Sequence, residues 1–408
     1  MLKAKSCSAV RINLKRSNAA VHTQNSKLKT QNFPCFPLTP HPSPPMLDAI
    51  AAAFDRQDYQ TAAQLVAQLL AQSPQNPWAQ FYAGRLQEVS GKLDTAADTY
   101  RQLLRATTNQ KLAGYLRQGI QRIETKQRDR RQQAIAQATA EPNNNAPGFL
   151  VLEAVTGADR AMVVQNFARV MKLDAYTVRM LLPNRGWRLY RAGVTGELQV
   201  YGQELRQAGI PTFWASQPEI EAIQLFRVNS FQAASPKATV VCQNVQDQVG
   251  FLSFDWSEVT QRVEGMLPIF EQVLDVGYRN RLERKAETQD YAHFCDLHLP
   301  GRRCILRLHD SSYQFDEGIT ANAQVAIVPA DRTTIRTNWN QLMTLLKRQT
   351  PNAETWSQFT PFGETAADFT GPLLRLKSHI YLSRREDSYW DAAFHLYSSL
   401  IFLRGAKR

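Results

Sequence analysis

The sequence predicts a multidomain protein with α-helical repeat hairpins first, a small α/β sandwich next, and an α+β domain with an antiparallel sheet last. Three patterns lead to this fold class. Apolar residues recur at helical spacing and at a fixed interval within residues 46–125. Strand-like and helix-like runs alternate within residues 149–223, and a strand–turn–strand pattern stands near residue 300 of the last region, residues 224–408.

The helical region carries the same motif twice. The texts QDYQTAAQLVAQLL and GKLDTAADTYRQLL can be aligned at a separation of 34 residues. The matched pairs are Tyr59 with Leu93, Ala62 with Ala96, Val66 with Tyr100, and Leu69 with Leu103. On a helix Ala62, Val66 and Leu69 share one face, and Ala96, Tyr100 and Leu103 do so in the second copy. Each segment therefore has an apolar side that a neighbouring helix must cover.

This period and pattern resemble the tetratricopeptide repeat over residues 46–125. The resemblance implies stacked helix–turn–helix units that bind a protein partner on their concave side. It also implies that one helix of the second unit lines that side, with Trp78, Phe81, Arg85 and Glu88 as candidate partner-binding residues. A helical hairpin without a partner is the alternative. After Leu104 the pattern fades into KLAGYLRQGIQRIE, which suggests a solvated terminal helix.

Residues 1–45 form a basic segment. Seven of the twelve net positive charges lie there, and the segment contains no acidic residue. An acid-free, Ser/Thr-rich start is typical of an organellar transit peptide or a disordered basic arm. The alternative is a mis-assigned start, with Met46 as the true first residue. We therefore expect a cytoplasmic protein, or an organellar one if residues 1–45 are a genuine transit peptide.

Composition limits the class of protein. The chain has 408 residues, is 43% apolar and lacks any run of about 18 apolar residues, which predicts a soluble protein without a membrane span. Its cysteines are few and odd in number, which favours a reducing compartment over a disulfide scaffold. They are Cys7, Cys35, Cys242, Cys295 and Cys304.

Residues 126–148 are predicted to connect the repeats to the next domain. The charged helical stretch QRIETKQRDRRQQ comes first, and QATAEPNNNAPG follows it. Clustered Asn and Pro without large apolar residues predict a flexible linker. A new domain is therefore expected to begin near Phe149.

Residues 149–223 alternate between strand and helix patterns. FLVLEAV, WRLYRAG and PTFWAS predict strands, while ADRAMVVQNFARVMKL, DAYTVRMLLP and ELQVYGQELRQAGI predict helices. The resulting β-α-α-β-α-β order resembles the C-terminal domain of the ribosomal stalk protein and similar small ferredoxin-like sandwiches. That resemblance implies that the first two helices face protein partners.

The same region has a mild basic bias, with a net charge of +3 over residues 149–216. Its candidate anion-binding residues are Arg179, Arg185, Arg188 and Arg191. They would suit RNA or another polyanion as a partner. An ordinary solvated face is the alternative interpretation.

The last region, residues 224–408, predicts a mixture of strands and helices. ATVVCQNV and QVGFLSFDW predict paired strands, AQVAIVP a further strand, and TNWNQLMTLLKRQ a helix. WSEVTQRVEGMLPIFEQVLDVGY predicts a helix bent at Pro268. Its expected buried residues are Val259, Val263, Met266 and Ile269 or Phe270. YWDAAFHLYSSLIFL predicts a closing helix whose aromatic face belongs to the core, or alternatively docks on a partner or a membrane.

The segment YAHFCDLHLPGRRCILRLHD predicts a β-hairpin. Gly301 stands where a type II′ turn requires glycine, and the register pairs residue 299 with 304, 297 with 306, 295 with 308, and Asp296 with Arg307 on a polar face. This register divides a set of potential zinc ligands, namely His293, Cys295, His298, Cys304 and His309. The cysteines fall on one face, and His298 and His309 fall on the other. We therefore predict neither a metal site nor a cofactor.

Three hypotheses for function follow. The first is a non-enzymatic protein-binding adaptor or assembly factor that uses the repeat helices. The second is binding of RNA or another polyanion through the basic face, with an affinity that falls steeply with salt. The third is an enzyme of unknown reaction in residues 224–408, where the sequence offers no catalytic motif.

Overall fold

The computed structural model describes residues 44–157, 159–276, 282–317, 334–382 and 388–406. These residues form two compact units, one ending at Ile123 and the other beginning at Glu124. The basic segment up to residue 43 and the predicted strand AQVAIVP lie outside the described residues. None of the described helices is both long and apolar enough to cross a membrane.

Consecutive helices build the first unit. They are α1 (Pro44–Asp55), α2 (Tyr59–Gln72), α3 (Pro77–Val89), α4 (Leu93–Ala106) and the first part of α5 (Gln110–Ala140). The Oδ1 atom of Asn76 accepts hydrogen bonds from the backbone N–H groups of Trp78 and Ala79, at 2.9 and 3.3 Å, and so starts α3. Gly91 has a φ of +80°, which turns the chain into α4. The predicted helical repeat hairpins are confirmed.

The apolar faces predicted from the repeat motif form the cores of these hairpins. The buried residues include Ala62, Val66, Leu69, Ala96, Tyr100 and Leu103. The ring of Tyr100 lies between two glycines. A Cβ atom at Gly84 would stand 2.5 Å from Cε1 of that ring, and a Cβ atom at Gly119 would stand 2.6 Å from Cε2. Glycine at both positions therefore allows α3 and α5 to pack closely on α4.

Helix α5 continues into residues that were predicted to be a linker. The chain was expected to become flexible from Gln137, but α5 ends only at Ala140. Within the second unit, Arg131 donates from Nε to Oε1 of Glu204 at 3.1 Å and from Nη2 to the carbonyl of Val170 at 3.0 Å. These contacts anchor the helix, and the irregular connection is reduced to residues 141–146.

A three-stranded antiparallel sheet opens the second unit. Its elements are β1 (Pro147–Glu153), α6 (Arg160–Met171), α7 (Ala175–Leu181), β2 (Trp187–Val194), α8 (Thr195–Gln207) and β3 (Thr212–Ser216). The predicted β-α-α-β-α-β order is confirmed, and the strands lie in the order β2-β1-β3. One face of the sheet packs on the helices, where Leu150 and Leu152 of β1 share a core with Phe167 and Leu205.

A larger mixed sheet occupies the rest of the second unit. Its strands are β4 (Gln224–Ala233), β5 (Ala238–Gln243), β6 (Val249–Phe254), β7 (Gln261–Val276), β8 (Leu282–Leu299), β9 (Cys304–His309) and β10 (Glu354–Trp356). Within the described residues their order is β10-β7-β8-β9-β4-β5-β6. The accompanying helices are α9 (Gln217–Glu221), α10 (Ile335–Gln349), α11 (Phe359–Ala366), α12 (Thr370–Leu373) and α13 (Tyr389–Ala406). The predicted pairing of β5 with β6 and the predicted helices α10 and α13 are confirmed.

The helix predicted for residues 256–278 is wrong. The chain makes one short 3-10 turn at Trp256–Glu258 and then enters the long strand β7. Pro268 lies within this strand rather than at a helix bend. Met266 was expected in the core but is 44% exposed. Of the two alternatives Ile269 and Phe270, Ile269 packs against the core and Phe270 is 37% exposed. The strand is stabilised because it pairs with β8 along its whole length, which outweighs the local helical pattern.

Strands β8 and β9 form the predicted hairpin, and its predicted register is confirmed. The predicted type II′ turn is wrong. Residues 300–302 form a 3-10 turn, and the positive φ of 50° falls on Arg303 instead of Gly301. The face expected to be polar is also buried, since every residue of β9 is buried. On that face Arg307 donates to both carboxylate oxygens of Asp296, at 2.9 and 2.7 Å.

One hydrophobic core joins the two sheets of the second unit. It contains Phe149 of β1, Trp187 of β2, Phe294 of β8, Phe359 of α11 and Phe394 of α13. The ring centroid of Phe394 lies 5.4 Å from that of Phe294 and 5.1 Å from that of Phe359. Helix α13 is buried continuously from Asp391 to Phe402. Its aromatic face therefore belongs to the core, and the alternative of a partner or membrane contact is wrong.

A second core lies on the opposite face of the larger sheet. Trp339, Leu342 and Leu346 of α10 pack there against the three buried cysteines. These are Cys242, Cys295 and Cys304. Burial raises the pKa of the Cys304 thiol to about 11, so the thiol stays protonated at neutral pH.

Candidate protein-docking surface

A continuous row of aromatic side chains crosses the helices of the first unit. This aromatic row consists of Phe54 of α1, Tyr59 of α2, Trp78, Phe81 and Tyr82 of α3, and Tyr115 of α5. Neighbouring ring centroids in the row lie 5.2–6.0 Å apart. Aromatic pairs are attractive at these separations, so the row connects α1, α3 and α5 through side-chain contact.

The members of the aromatic row differ in exposure. Phe54 and Phe81 are buried and hold the hairpins together. Tyr59 and Tyr115 are 37% and 41% exposed, while Trp78 and Tyr82 are half-buried. Tyrosine and tryptophan combine apolar area with one hydrogen-bonding group and lose little conformational entropy when covered, which is why they are enriched at protein interfaces. The exposed part of the row is therefore suited to docking.

The four predicted partner-binding residues lie in two different environments. Trp78 belongs to the aromatic row, and Arg85 holds its guanidinium carbon 5.0 Å from the ring centroid of Phe54. Both are half-buried and accessible. Phe81 is only 4% exposed and Glu88 only 6% exposed. These two side chains pack inside the unit, because their helix also supplies the contacts to its neighbours.

Glu88 connects three helices of the first unit. Its carboxylate accepts hydrogen bonds from Nε and Nη2 of Arg122 on α5, at 3.2 and 3.1 Å, and from the hydroxyl of Tyr100 on α4, at 3.2 Å. The pKa of Tyr100 is raised by its burial and further by the charge of Glu88. The hydrogen bond to Glu88 raises the pKa of Arg122. Glu88 thus fixes the packing of α3 against α4 and α5.

Helix α5 contributes Tyr115 to this surface, which the sequence pattern up to Leu104 did not predict. Residues 111–124 were expected to form a solvated terminal helix, yet Leu112, Leu116 and Ile123 are buried in the core of the unit. The signal for this helix is present in the sequence. An offset of 34 residues also relates Phe81 to Tyr115 and Glu88 to Arg122.

The candidate anion-binding arginines of the second unit do not converge on one site. Arg179 and Arg185 are exposed on α7 and the loop after it. Arg188 donates from Nη1 to the carbonyl of Met180 at 2.9 Å. The guanidinium of Arg191 lies 4.3 Å from the ring centroid of Tyr201 and 3.8 Å from the Oε1 atom of Glu197. Two of these four side chains are therefore engaged in contacts within the unit.

A shallow cleft of about 490 Å³ lies beside α6 and includes Arg160 and Arg179 in its lining. Arg160 is occupied by backbone carbonyls. It donates to Val155 at 2.8 Å, to Leu182 at 2.9 Å and to Pro183 at 3.3 Å. Arg160 therefore stabilises the loops around the cleft, which leaves Arg179 as the cation of this lining that faces solvent.

The histidines and cysteines of the hairpin are separated as its register predicts. Among the described residues, no group of three or more His, Cys, Asp or Glu side chains is placed to hold a metal ion. His298 lies on the face opposite the cysteines, where Nε2 is 2.9 Å from Oγ of Ser398 and Nδ1 is 3.1 Å from Oε1 of Gln261. The side chains of His298 and Ser398 are both fully buried, and burial lowers the pKa of His298 to about 4. This arrangement is a buried hydrogen-bonded contact without an opening for a substrate.

Comparison with known proteins supports the repeat helices. A family model described as the tetratricopeptide repeat matches residues 53–120, which include the whole aromatic row. No curated protein and no solved structure matches the chain. The resemblance of residues 149–216 to the C-terminal domain of the ribosomal stalk protein is therefore not confirmed.

Proposed function

We propose that this protein is a non-enzymatic adaptor or assembly factor, in which the aromatic row docks an apolar segment of a partner protein. The observation that carries the proposal is the continuous row itself, whose accessible residues Tyr59, Trp78, Tyr82 and Tyr115 lie on three helices. The match to the tetratricopeptide repeat supports it, because these repeats generally mediate contacts between proteins.

The surroundings of the row indicate the chemistry of the partner segment. Exposed aromatic rings favour contact with apolar or aromatic side chains. The rings have few rotatable bonds, so they lose little conformational entropy when a partner covers them. Arg85 places a positive charge beside the ring of Phe54. A segment with apolar residues next to one acidic residue would satisfy both features. The buried Phe81 and Glu88 shape this surface from below rather than touching the partner.

The proposal is tested by affinity purification of the full chain from its native cell. We expect that Tyr115→Ala and Trp78→Ala each reduce recovery of the same co-purifying protein several-fold, because each removes accessible ring area from the row. Arg85→Glu is expected to weaken recovery as well, through charge reversal next to the row.

Tyr176→Ala is the matched control, since Tyr176 is 71% exposed on α7 of the second unit. It is expected to leave recovery unchanged. Circular dichroism verifies that each variant keeps its helix content. Equal recovery of every partner with wild type, Tyr115→Ala and Trp78→Ala would contradict the docking role of the row.

We further propose that the adaptor acts in the cytoplasm, or in an organelle if residues 1–45 are a genuine transit peptide. The acid-free composition of that segment supports the second possibility. Sequencing the N-terminus of the native protein distinguishes them.

A further inference from the structure

Strand β6 forms an open edge of the larger sheet in the described part of the chain. Its sequence, VGFLSF, contains no charged residue, no proline and no bulge in its pairing with β5. Natural sheets usually protect such an edge with charges, proline or a very short strand. The opposite edge, β10, has only three residues, and the edge strand β2 of the smaller sheet carries Arg188 and Arg191. Strand β6 thus lacks the short length that protects β10 and the charged residues that protect β2.

The hydrogen-bond pattern shows which residues of β6 face the open edge. The backbone N–H of Asn244 donates to the carbonyl of Gln248 at 3.1 Å, at the start of the β5–β6 ladder. In an antiparallel ladder, hydrogen-bonded and non-hydrogen-bonded pairs alternate. Val249, Phe251 and Ser253 therefore occupy non-hydrogen-bonded positions toward β5. Their N–H and C=O groups point away from β5, toward the open edge.

The side chains of the same residues are accessible. Val249 is 61% exposed and Phe251 is 69% exposed, and Val245 in the preceding turn is 41% exposed. Large apolar side chains at an unprotected edge are a template for pairing with another strand. Backbone donors, backbone acceptors and apolar area thus coincide at β6.

We propose that β6 pairs with β6 of a second copy of this chain, antiparallel about a twofold axis at Phe251. This register places Phe251 opposite Phe251 of the second copy, and Val249 opposite Ser253 of the second copy. All three outward-facing residues can then donate and accept a backbone hydrogen bond across the axis. The two Phe251 rings form a cross-strand aromatic pair, and the two sheets become one.

The charges at the ends of β6 are compatible with this twofold pairing. The register brings Asp247 opposite Asp255 of the second copy. Each carboxylate already has its own cation, since Asp247 pairs with Arg227, and Lys237 lies 3.0 Å from Asp255. At each end of the paired strands, both carboxylates are therefore already neutralised by a cation of their own copy. Lys237 of one copy also approaches Asp247 of the other. No uncompensated like charges oppose the dimer there.

Sedimentation velocity of the full chain over a concentration series tests the proposal. We expect the wild type to shift toward a dimer as concentration rises. Phe251→Lys places two positive charges on the axis, and its dissociation constant for the dimer is expected to rise about tenfold or more. Leu374→Lys is the control, because Leu374 is 66% exposed elsewhere in the same unit, and it is expected to dimerise as the wild type does. The proposal would be overturned if the wild type stays monomeric at about 100 μM. It would also be overturned if Phe251→Lys leaves the dissociation constant of the dimer unchanged.

Disulfide cross-linking tests the register independently. In a background with Cys7→Ser and Cys35→Ser, Phe251→Cys is expected to form a covalent dimer on mild oxidation, because residues that pair across the axis have Cα atoms about 5.5 Å apart. Val249→Cys is expected to remain uncrosslinked, since its two copies would be separated by four residues along the strand, or about 13 Å. Cross-linking at residue 249 and not at residue 251 would contradict the axis at Phe251.

Discussion

The two units of the protein differ in the sequence separation between the residues that form their cores. In the first unit, Glu88 and Arg122 are one repeat apart, and Tyr100 packs against glycines of the helices next to it. In the second unit, Phe149 and Phe394 belong to the same core although most of the chain separates them. Damage to the first unit should therefore affect adjacent helices, whereas damage to the second should weaken both of its sheets together.

The largest expected effect comes from the buried ion pair of the second unit. Asp296 and Arg307 are both buried, and Arg307 also donates to the carbonyl of Ser378 at 2.8 Å. Asp296→Ala leaves Arg307 without its carboxylate partner, so we expect a loss of about 3–5 kcal/mol in the free energy of unfolding of this unit. Hydrogen exchange in denaturant, resolved by segment, measures this loss in both sheets and compares it with the first unit.

The control for that experiment is Glu258→Ala. Glu258 and Arg302 lie 2.6 Å apart in the two 3-10 turns next to the same sheet, but both side chains are partly exposed, so about 1 kcal/mol or less is expected. A loss below about 1 kcal/mol for Asp296→Ala, or destabilisation confined to the larger sheet, would contradict the shared core.

The second-largest difference between the two units is expected in how their stability changes at acidic pH. Burial lowers the pKa of His298 and of His309 to about 4 in the folded second unit, against about 6.5 when unfolded. Between these values the unfolded state binds more protons, so stability is fully present above pH 6.5 and falls as the pH drops toward 4. We expect each of these two histidines to lower the free energy of unfolding of the second unit by about 2 kcal/mol between pH 7 and pH 5.

Residues 44–123 contain no histidine, so the first unit has no corresponding loss in this pH window. Urea unfolding at pH 7, 6 and 5, followed by segment-resolved exchange, measures both units. The variant His298→Asn should show a shallower pH dependence in the second unit. An unchanged slope in that variant would show that His298 does not carry the effect.

A smaller effect is expected from the close packing around Tyr100. Gly84→Ala would place a Cβ atom 2.5 Å from the Tyr100 ring, so α3 or the ring must shift. We expect a loss of about 1–3 kcal/mol, confined to the first unit. Gly114→Ala on α5 is the matched control, because a Cβ atom there meets nothing within 4 Å. Thermal unfolding followed by circular dichroism compares the two variants, and equal midpoints would contradict tight packing at Gly84.

The smallest effect is expected at the start of α3. Asn76→Ala removes the side-chain oxygen that accepts hydrogen bonds from two backbone N–H groups. We expect a loss of about 1 kcal/mol in the first unit, and no change in exchange within the second. Asn76→Asp is the control because it keeps the acceptor and should retain most of the stability. A loss that also reaches the second unit would show that the units are not independent.

The sequence predicts the first unit well because its contacts are local. The apolar faces of α2 and α4 are covered by their neighbours, so the helical spacing of residues such as Ala62 and Leu69 reports directly on burial. At the candidate docking surface, Trp78 and Arg85 were predicted through the family resemblance. Tyr115 was missed because the repeat was not followed beyond Leu104, although one more period leads from Phe81 to it.

The structure of the second unit is harder to predict from the sequence, and the reason is physical. Val263 and Leu267 are both fully buried in β7, and residues four apart share a face on a helix as well as on a strand. Their spacing therefore cannot distinguish the two structures. The pairing with β8 decides between them, and this contact is not encoded in the local pattern. The shared core and the burial of both hairpin faces likewise depend on α13, which comes much later in the chain.

Helix α13 has a consequence for synthesis on the ribosome. It supplies Phe394, Tyr397 and Leu400 to a core whose other side begins at Phe149. At translation rates of roughly 5–20 residues per second, the apolar faces of both sheets remain uncovered for on the order of tens of seconds before α13 has been synthesised. The nascent second unit must be kept from aggregating during that interval, whereas the repeat hairpins can fold as soon as they leave the exit tunnel.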